Sequence, residues 1–353
     1  MNADAKDSQR TLLDPDEVVR GTNDDALACK HSAVAAGYLA DPFIKAFLKR
    51  SPRKAPVINR GTYSRTAALD MLVTKFLTSS AQTTHIHTTQ LSKSALQTVA
   101  NKQIISLGAG SDTRYLLLKA AGLNPHRYIE IDYPQVTAKK AQALMKDKDT
   151  RQMIDLDHGQ VFGGGTGITT DSYWLIPGDL REFASVLMPK LISMGLDTGI
   201  PTLILSECVF VYLDPGVSTS ILECISASFT TVMVAVYEQI HPDDAFGLTM
   251  IHNLKARNIT LPGIYAYPTL ASQVDRYLDC GWTVSKAIDL NTVWDKYIVE
   301  SEKQRVAKLE VFDEIEEWRL LSQHYCIAWA AKSVSDLSNA EGLGNALVDA
   351  WWF

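Results

Sequence analysis

The chain has 353 residues, 46% hydrophobic and 21% charged, enough apolar material to bury a full core in one large domain or two small ones. Its formal net charge of −6 is opposite in sign to the basic face that broad nucleic-acid or anionic-membrane binding requires, so neither partner is expected. The five cysteines, Cys29, Cys208, Cys224, Cys280 and Cys326, lie far apart without CxxC spacing and give neither a disulfide framework nor a zinc knuckle.

In chain order, Met1 to Asp25 is polar and mixed in charge, without an apolar signal core, and no apolar run approaches membrane-spanning length. The expectation is a soluble, cytoplasmic protein. Residues 1–24 show little periodicity and are expected to lack order until Asp24 or Asp25 starts a helix. Ala26, Leu27, Val34 and Tyr38 mark one face of that helix, and Lys30 lies on it. Asp41-Pro42 reads as an N-cap with proline at the first helical position, leading through Phe43 and Phe47. Arg50 to Pro56 is a basic, proline-broken loop. Asn59-Arg60-Gly61-Thr62 opens a helix with Tyr63, Ala67, Met71, Leu72 and Phe76 on its apolar side and Arg65 in its first turn. Residues 25–100 therefore read as a helical cap on a nucleotide-binding domain that begins near residue 101.

Gln103-Ile104-Ile105-Ser106-Leu107 is a short apolar run that reads as a buried strand. It breaks into Gly108-Ala109-Gly110-Ser111-Asp112-Thr113, a helical pattern runs from Arg114 to Ala121, and a second strand ends in Asp132. Strand, glycine turn, helix, and a strand closed by an acid about twenty residues on form the βαβ unit that binds a nucleoside. A basic helix from Gln135 to Lys146 comes next. Residues 147–171 include Gly163-Gly164-Gly165-Thr166-Gly167, but the Lys-Ser/Thr of a phosphate loop is absent, and the segment reads as a flexible surface insertion. Further strands are expected at Tyr173–Pro177, Pro201–Ser206, Thr231–Tyr237, Trp282–Ile288 and Tyr325–Ala331. A partly helical insertion spans about 241–279, and a charged amphipathic helix runs from Ser301 to Gln323. Strands alternating with helices predict an α/β sheet.

Ligands of open α/β sheets bind beyond the carboxyl ends of the strands. Those ends here carry Gly108, Gly110, Asp132, Asp179 and Glu207. An aspartate there is equally read as a helix cap, but glutamate caps poorly, and Glu207 follows a strongly apolar strand. An acid-rich pocket disfavours a pyrophosphate and favours a ligand bearing positive charge. Thr113 also stands where a dinucleotide fingerprint needs its third glycine. The set fits S-adenosylmethionine better than NAD, with ribose on Asp132, adenine near Asp179 and Leu180, and the aminoacyl end toward the glycines. Arg65 and Lys30 are candidates for the cation that the cofactor's carboxylate needs. No metal or nucleophile motif stands out; His85 and His87, in a threonine-rich stretch, read as an exposed loop rather than a ligand pair.

An ordered set of motifs resembles the leucine carboxyl methyltransferases. It comprises Cys29-Lys30 with Gly37-Tyr38, Asp41-Pro42, Lys54-Ala55-Pro56 with Asn59-Arg60-Gly61 and Arg65, and Leu107-Gly108-Ala109-Gly110 with Asp112-Thr113. It continues through Asp132-Tyr133-Pro134, Gly178-Asp179-Leu180-Arg181, Glu207-Cys208-Val209 with Val211-Tyr212, Tyr237-Glu238-Gln239, Phe246-Gly247 and His324-Tyr325-Cys326. The resemblance implies a class I S-adenosylmethionine-dependent methyltransferase fold, a Rossmann-like, mostly parallel seven-stranded sheet over 101–335 with a helical N-terminal cap and an inserted lid. It implies methylation of the C-terminal leucine carboxylate of the protein phosphatase 2A catalytic subunit, which would present its tail and active-site face. It assigns Arg65 and Lys30 to the cofactor carboxylate; because a planar fork can serve two carboxylates, Arg65 is also expected to orient the acceptor's. Gly108, Gly110, Asp132, Asp179, Leu180 and Glu207 complete the cofactor set. The glycine-rich insertion before Tyr173 and, within the C-terminal tail 336–353, the stretch Ala346 to Phe353, ending Asp349-Ala350-Trp351-Trp352-Phe353, match nothing in the family. The alternatives are a related carboxyl methyltransferase acting on a hypermodified tRNA base or another small carboxylate, a nicotinamide oxidoreductase, and a non-catalytic phosphatase-binding protein.

Overall fold

The structure is a computed structural model that describes residues 14–79, 99 and 101–333. The expectations for residues 1–13, for His85 and His87, and for the tail lie outside the described residues. Three helices come first, α1 (Pro15–Ala35), α2 (Ile44–Phe47) and α3 (Pro56–Thr78). The sheet strands are β1 (Gln103–Leu107), β2 (Arg127–Asp132), β3 (Gln160–Phe162), β4 (Gly167–Thr169), β5 (Tyr173–Pro177), β6 (Thr202–Glu207), β7 (Thr231–Gln239), β8 (Val284–Asp289) and β9 (Tyr325–Ser333). Between them run α4 (Arg114–Ala120), α5 (Pro134–Lys146), α6 (Lys148–Met153), α7 (Met188–Ser193), α8 (Pro215–Ser228), α9 (Ala245–Ala256), α10 (Leu270–Asp279), α11 (Glu300–Ala307) and α12 (Ile315–Gln323).

The strand order is β3-β4-β5-β2-β1-β6-β7-β9-β8. From β5 to β7 all pairings are parallel, and β9 enters antiparallel between β7 and β8. That seven-strand run is the expected methyltransferase sheet. The chain winds outward from β1 and then returns to β6, so the crevice beyond β1 and β6 is the topological switch point where such sheets bind ligands. The alternation of strand side chains builds two cores. Ile104, Tyr128, Tyr173, Leu203 and Met233 face α3 through Leu69, Leu72 and Phe76. Ile105, Ile129, Trp174, Ile204 and Val234 face α8 through Ile221, Leu222 and Ile225.

Four local expectations are corrected. Order begins well before Asp24, because Asp14 caps α1 by accepting from the Asp16 N–H and Pro15 occupies the first helical position. The charges that made this stretch look unstructured are the residues through which α1 holds the body. α3 starts at Pro56 rather than Asn59, which moves Arg65 from the first turn to the third. Segment 147–171 is no loose insertion: it adds α6 and a β3–β4 hairpin to the sheet, making nine strands. The hairpin turns through Gly163, Gly164 and Gly165 at φ of 60°, 66° and 94°, a region glycine enters without steric cost. Finally, the helix expected over 301–323 is two helices, α11 and α12, parted by Lys308–Glu314, where buried Glu310 accepts from Asn59 and Arg53 of the cap.

Candidate functional site

A cavity of about 700 Å³ lies over the carboxyl ends of β1, β2, β6 and β7, roofed by α1 and α3. Its size falls within the range of roughly 300–1,000 Å³ usual for small-molecule sites. The glycine turn forms its floor. Gly108 and Gly110 both adopt positive φ, 59° and 51°. A Cβ at Gly108 would sit 2.6 Å from Val209 Cγ2, and one at Gly110 would sit 2.5 Å from Asn23 Oδ1. The turn is held from both sides. Asp132 accepts the Gly110 N–H through Oδ2 and the Tyr133 N–H through Oδ1, each at 2.7 Å. From the roof, Asn23 accepts the Ser111 N–H at 2.8 Å. Burial raises the Asp132 carboxyl above its ordinary value, while these two N–H donors and Lys140 pull the other way.

Glu207, at the end of β6, stands between two guanidinium groups. Its Oε2 accepts from Arg65 Nε and its Oε1 from Arg114 Nη1, both at 2.8 Å. Burial works to raise the Glu207 carboxyl, but Arg114 and Arg65 outweigh it and hold the group below its ordinary range. Arg114 also donates to Asp112 at 2.6 Å and to Asp70 at 2.7 Å. Against burial, Arg114 and Lys30 bring Asp112 well below the carboxylate range. Lys30 Nζ donates to Thr113 Oγ1 at 2.6 Å and lies 3.2 Å from Asp41 and 3.5 Å from Asp112. Three cations thus face the carboxylates of Asp41, Asp70, Asp112 and Glu207, with Asp132 beside them.

The cavity wall includes Lys30, Arg65, Gly108, Gly110, Asp132, Leu180 and Glu207. Asp179 stays out of it. It caps the turn at Leu180 by accepting the Arg181 N–H at 2.9 Å, and it grips the Arg181 guanidinium from Nε at 2.9 Å. This aspartate is a cap in the structure, and Arg181 beside it stands in the wall. Lys30 lines the cavity, but its ammonium is engaged by Thr113, Asp41 and Asp112, so it braces the far end of the glycine turn.

Arg114 is the residue that motif reading missed. A cation in the first turn of a helix opposes the helix dipole, and that misplacement was the available signal. Asp70 and Asn23 gave no comparable sign, because their roles depend on where α3 and α1 dock. Tyr237, quoted only as part of a motif, places its ring 4.8 Å from the Arg65 guanidinium carbon and stacks on Tyr325 at 5.1 Å.

No helix among the described residues is long and apolar enough to cross a membrane, and no cluster of three or more potential metal ligands occurs among them.

Comparison with known proteins gives a consistent result. The family described as leucine carboxyl methyltransferase matches residues 18–226. A leucine carboxyl methyltransferase 1 homolog of Arabidopsis thaliana is 41% identical over 322 residues, covering 88% of both chains. Leucine carboxyl methyltransferase 1 of Bos taurus is 36% identical, covering 92% of this chain and 93% of the relative. A tRNA wybutosine-synthesizing protein 4 of Rattus norvegicus is 34% identical, but the match spans 44% of that protein.

Proposed function

We propose, from the premise that the chain belongs to the leucine carboxyl methyltransferase family, that its cavity esterifies the C-terminal leucine carboxylate of the protein phosphatase 2A catalytic subunit. The chain is a methyltransferase, and S-adenosylmethionine is its methyl donor. When bound, the donor supplies an electrophilic methyl group on a sulfonium centre. The observation that carries the reading is the Arg65–Glu207 pair at the switch point, beside the glycine turn and Asp132.

The residues present fit the donor. Glycines at Gly108 and Gly110 let Val209 and Asn23 pack against the turn, where any Cβ would collide with them and shift the floor. Asp132 spends one lone pair of each oxygen on the turn and retains others for ribose hydroxyls. Glu207 faces the donor's ammonium. Arg65 gives its Nε–H to Glu207 and carries four further N–H donors on its terminal nitrogens, a planar fork suited to carboxylates. We assign that fork to the donor's carboxylate and to orientation of the acceptor's. Leu180 and Arg181 border the adenine subsite, and Asp179 acts through Arg181. Lys30 and Arg114 shape the site from behind.

An α-carboxylate titrates near pH 3.3–3.7 and is already ionised at neutrality, so no general base is required. The leaving thioether is neutral, so no acid is required. The protein's contribution is placement of the nucleophile and exclusion of water from it, which the roof of α1 and α3 provides.

To choose among acceptors, the protein is incubated with labelled S-adenosylmethionine, the phosphatase catalytic subunit and tRNA together. Label in the protein fraction supports the reading. Label in tRNA alone would transfer the chain to the wybutosine branch of its relatives.

A further inference from the structure

Arg60 and Arg65 share α3 but stand about 140° apart around it, so Arg65 turns into the methyl-transfer cavity and Arg60 turns away from it. Arg60 enters an aromatic cage. Its guanidinium carbon lies 3.7 Å from the ring centroid of Phe312, 5.0 Å from that of Trp294 and 5.6 Å from that of Trp318. The residue is 9% exposed, yet among the described residues none of its N–H groups is hydrogen-bonded and no carboxylate pairs with it. A ring face attracts the charge but is a weak acceptor of N–H. Glu310, in the same pocket, is committed to the cap, accepting from Arg53 and Asn59. Burial disfavours the charge on Arg60, and Arg319 adds to that disfavour. A buried cation without a hydrogen-bonded partner is short of one anion.

The shortage can be met from outside. Nε is fully buried, but the two terminal nitrogens are not closed off, and Arg60 lines an open pocket of about 550 Å³ that shares no lining residue with the methyl-transfer cavity. Lys308, Val311, Phe312 and Ile315, from the end of α11 to the start of α12, surround it. Val311 is 89% exposed and Ile315 55% exposed. A positive donor edge at the base and free apolar side chains at the rim match a carboxylate carried on a chain with apolar neighbours. A small free anion would use the base alone.

We propose that this pocket docks an extended segment of a protein partner, with an aspartate or glutamate carboxylate on Arg60 and an adjacent apolar side chain against Val311 and Ile315. The test titrates the end-blocked tripeptide Leu-Glu-Leu into the isotope-labelled whole chain and follows the indole N–H signals of Trp294 and Trp318. Leu-Gln-Leu and inorganic phosphate are titrated in parallel. Saturable shifts with the glutamate peptide are expected, with the glutamine peptide at least roughly tenfold weaker, the effect of losing a charge-assisted hydrogen bond. Arg60→Met should abolish the response. Val311→Asp sets a like charge beside the incoming carboxylate on a side chain outside the core, and should weaken the glutamate peptide roughly tenfold with melting temperature and methyl transfer unchanged. That variant decides the matter if Arg60→Met does not fold. No saturable response, equal binding of the two peptides, phosphate binding as tightly as the glutamate peptide, or wild-type binding by either folded variant would overturn the proposal.

Discussion

Arg65 and Glu207 are 142 positions apart in sequence and meet through a 2.8 Å N–H···O contact, joining the roof helix α3 to the end of β6. The pair is partly exposed, at 26% and 20%, so its worth to overall stability is modest, whereas its worth to ligand geometry depends on the shape of the guanidinium. Arg65→Lys keeps the charge and loses the fork. Turnover should fall at least tenfold and cofactor affinity should fall with it, as read by steady-state kinetics and calorimetry; unchanged values for both would remove Arg65 from its assigned role.

Arg114 should set the acid limit of cofactor binding. Glu207 and Asp112 have folded values below their ordinary 4.5 and 3.8. The stability they contribute is therefore complete above those ordinary values and is lost as pH falls through the lower folded ones. In Arg114→Met the main force opposing burial at Glu207 is gone, so its carboxyl should rise. Cofactor affinity measured against pH should then show its acid limb moved up by about one pH unit or more. An unmoved limb would mean that Glu207 does not report on the site.

Gly108→Ala tests the floor. The new Cβ would meet Val209 at 2.6 Å on a backbone already at φ 59°, so both crowding and strain act against it. The left-handed conformation alone costs a non-glycine residue about 1–2 kcal/mol. Cofactor affinity should drop beyond detection in a titration that saturates wild type. Gly122→Ala is the control. It shares positive φ but has open space around it, so its melting temperature should fall while affinity is retained.

The roof helix α1 is tied to the body near the cavity by surface ion pairs, Asp16 with Arg181 at 2.6 Å, Asp24 with Lys139 at 3.4 Å, and Asp25 with Arg257. Exposed pairs of this kind contribute roughly 0–1 kcal/mol each and are screened by salt. Release of bound cofactor monitored by stopped flow should accelerate with ionic strength, and Asp16→Asn with Asp25→Asn should reproduce that acceleration at low salt. A rate independent of both would show that α1 does not gate the site.

Periodicity and strand-end logic made the sheet readable, because buried runs such as Gln103–Leu107 and Thr202–Glu207 announce parallel central strands without any tertiary information. Glu207 was readable for the same reason, as a carboxylate where an apolar strand ends. Arg114, Asp70 and Asn23 were not, since each acquires its partner only when α4, α3 and α1 dock. Asp179 shows the opposite limit. A strand-end acid has two uses, capping and ligand binding, and the Arg181 contact shows only the first of them at Asp179. The β3–β4 hairpin was hidden because its strands are three residues long and its glycines resemble a loose loop.

A methyl ester on a C-terminal leucine is the expected product. Incubation with labelled S-adenosylmethionine and phosphatase catalytic subunit, intact or lacking its terminal leucine, tests it directly. Base-labile label is expected on the intact subunit and none on the shortened one; equal labelling of both, or label stable to base, would contradict esterification of the terminal leucine.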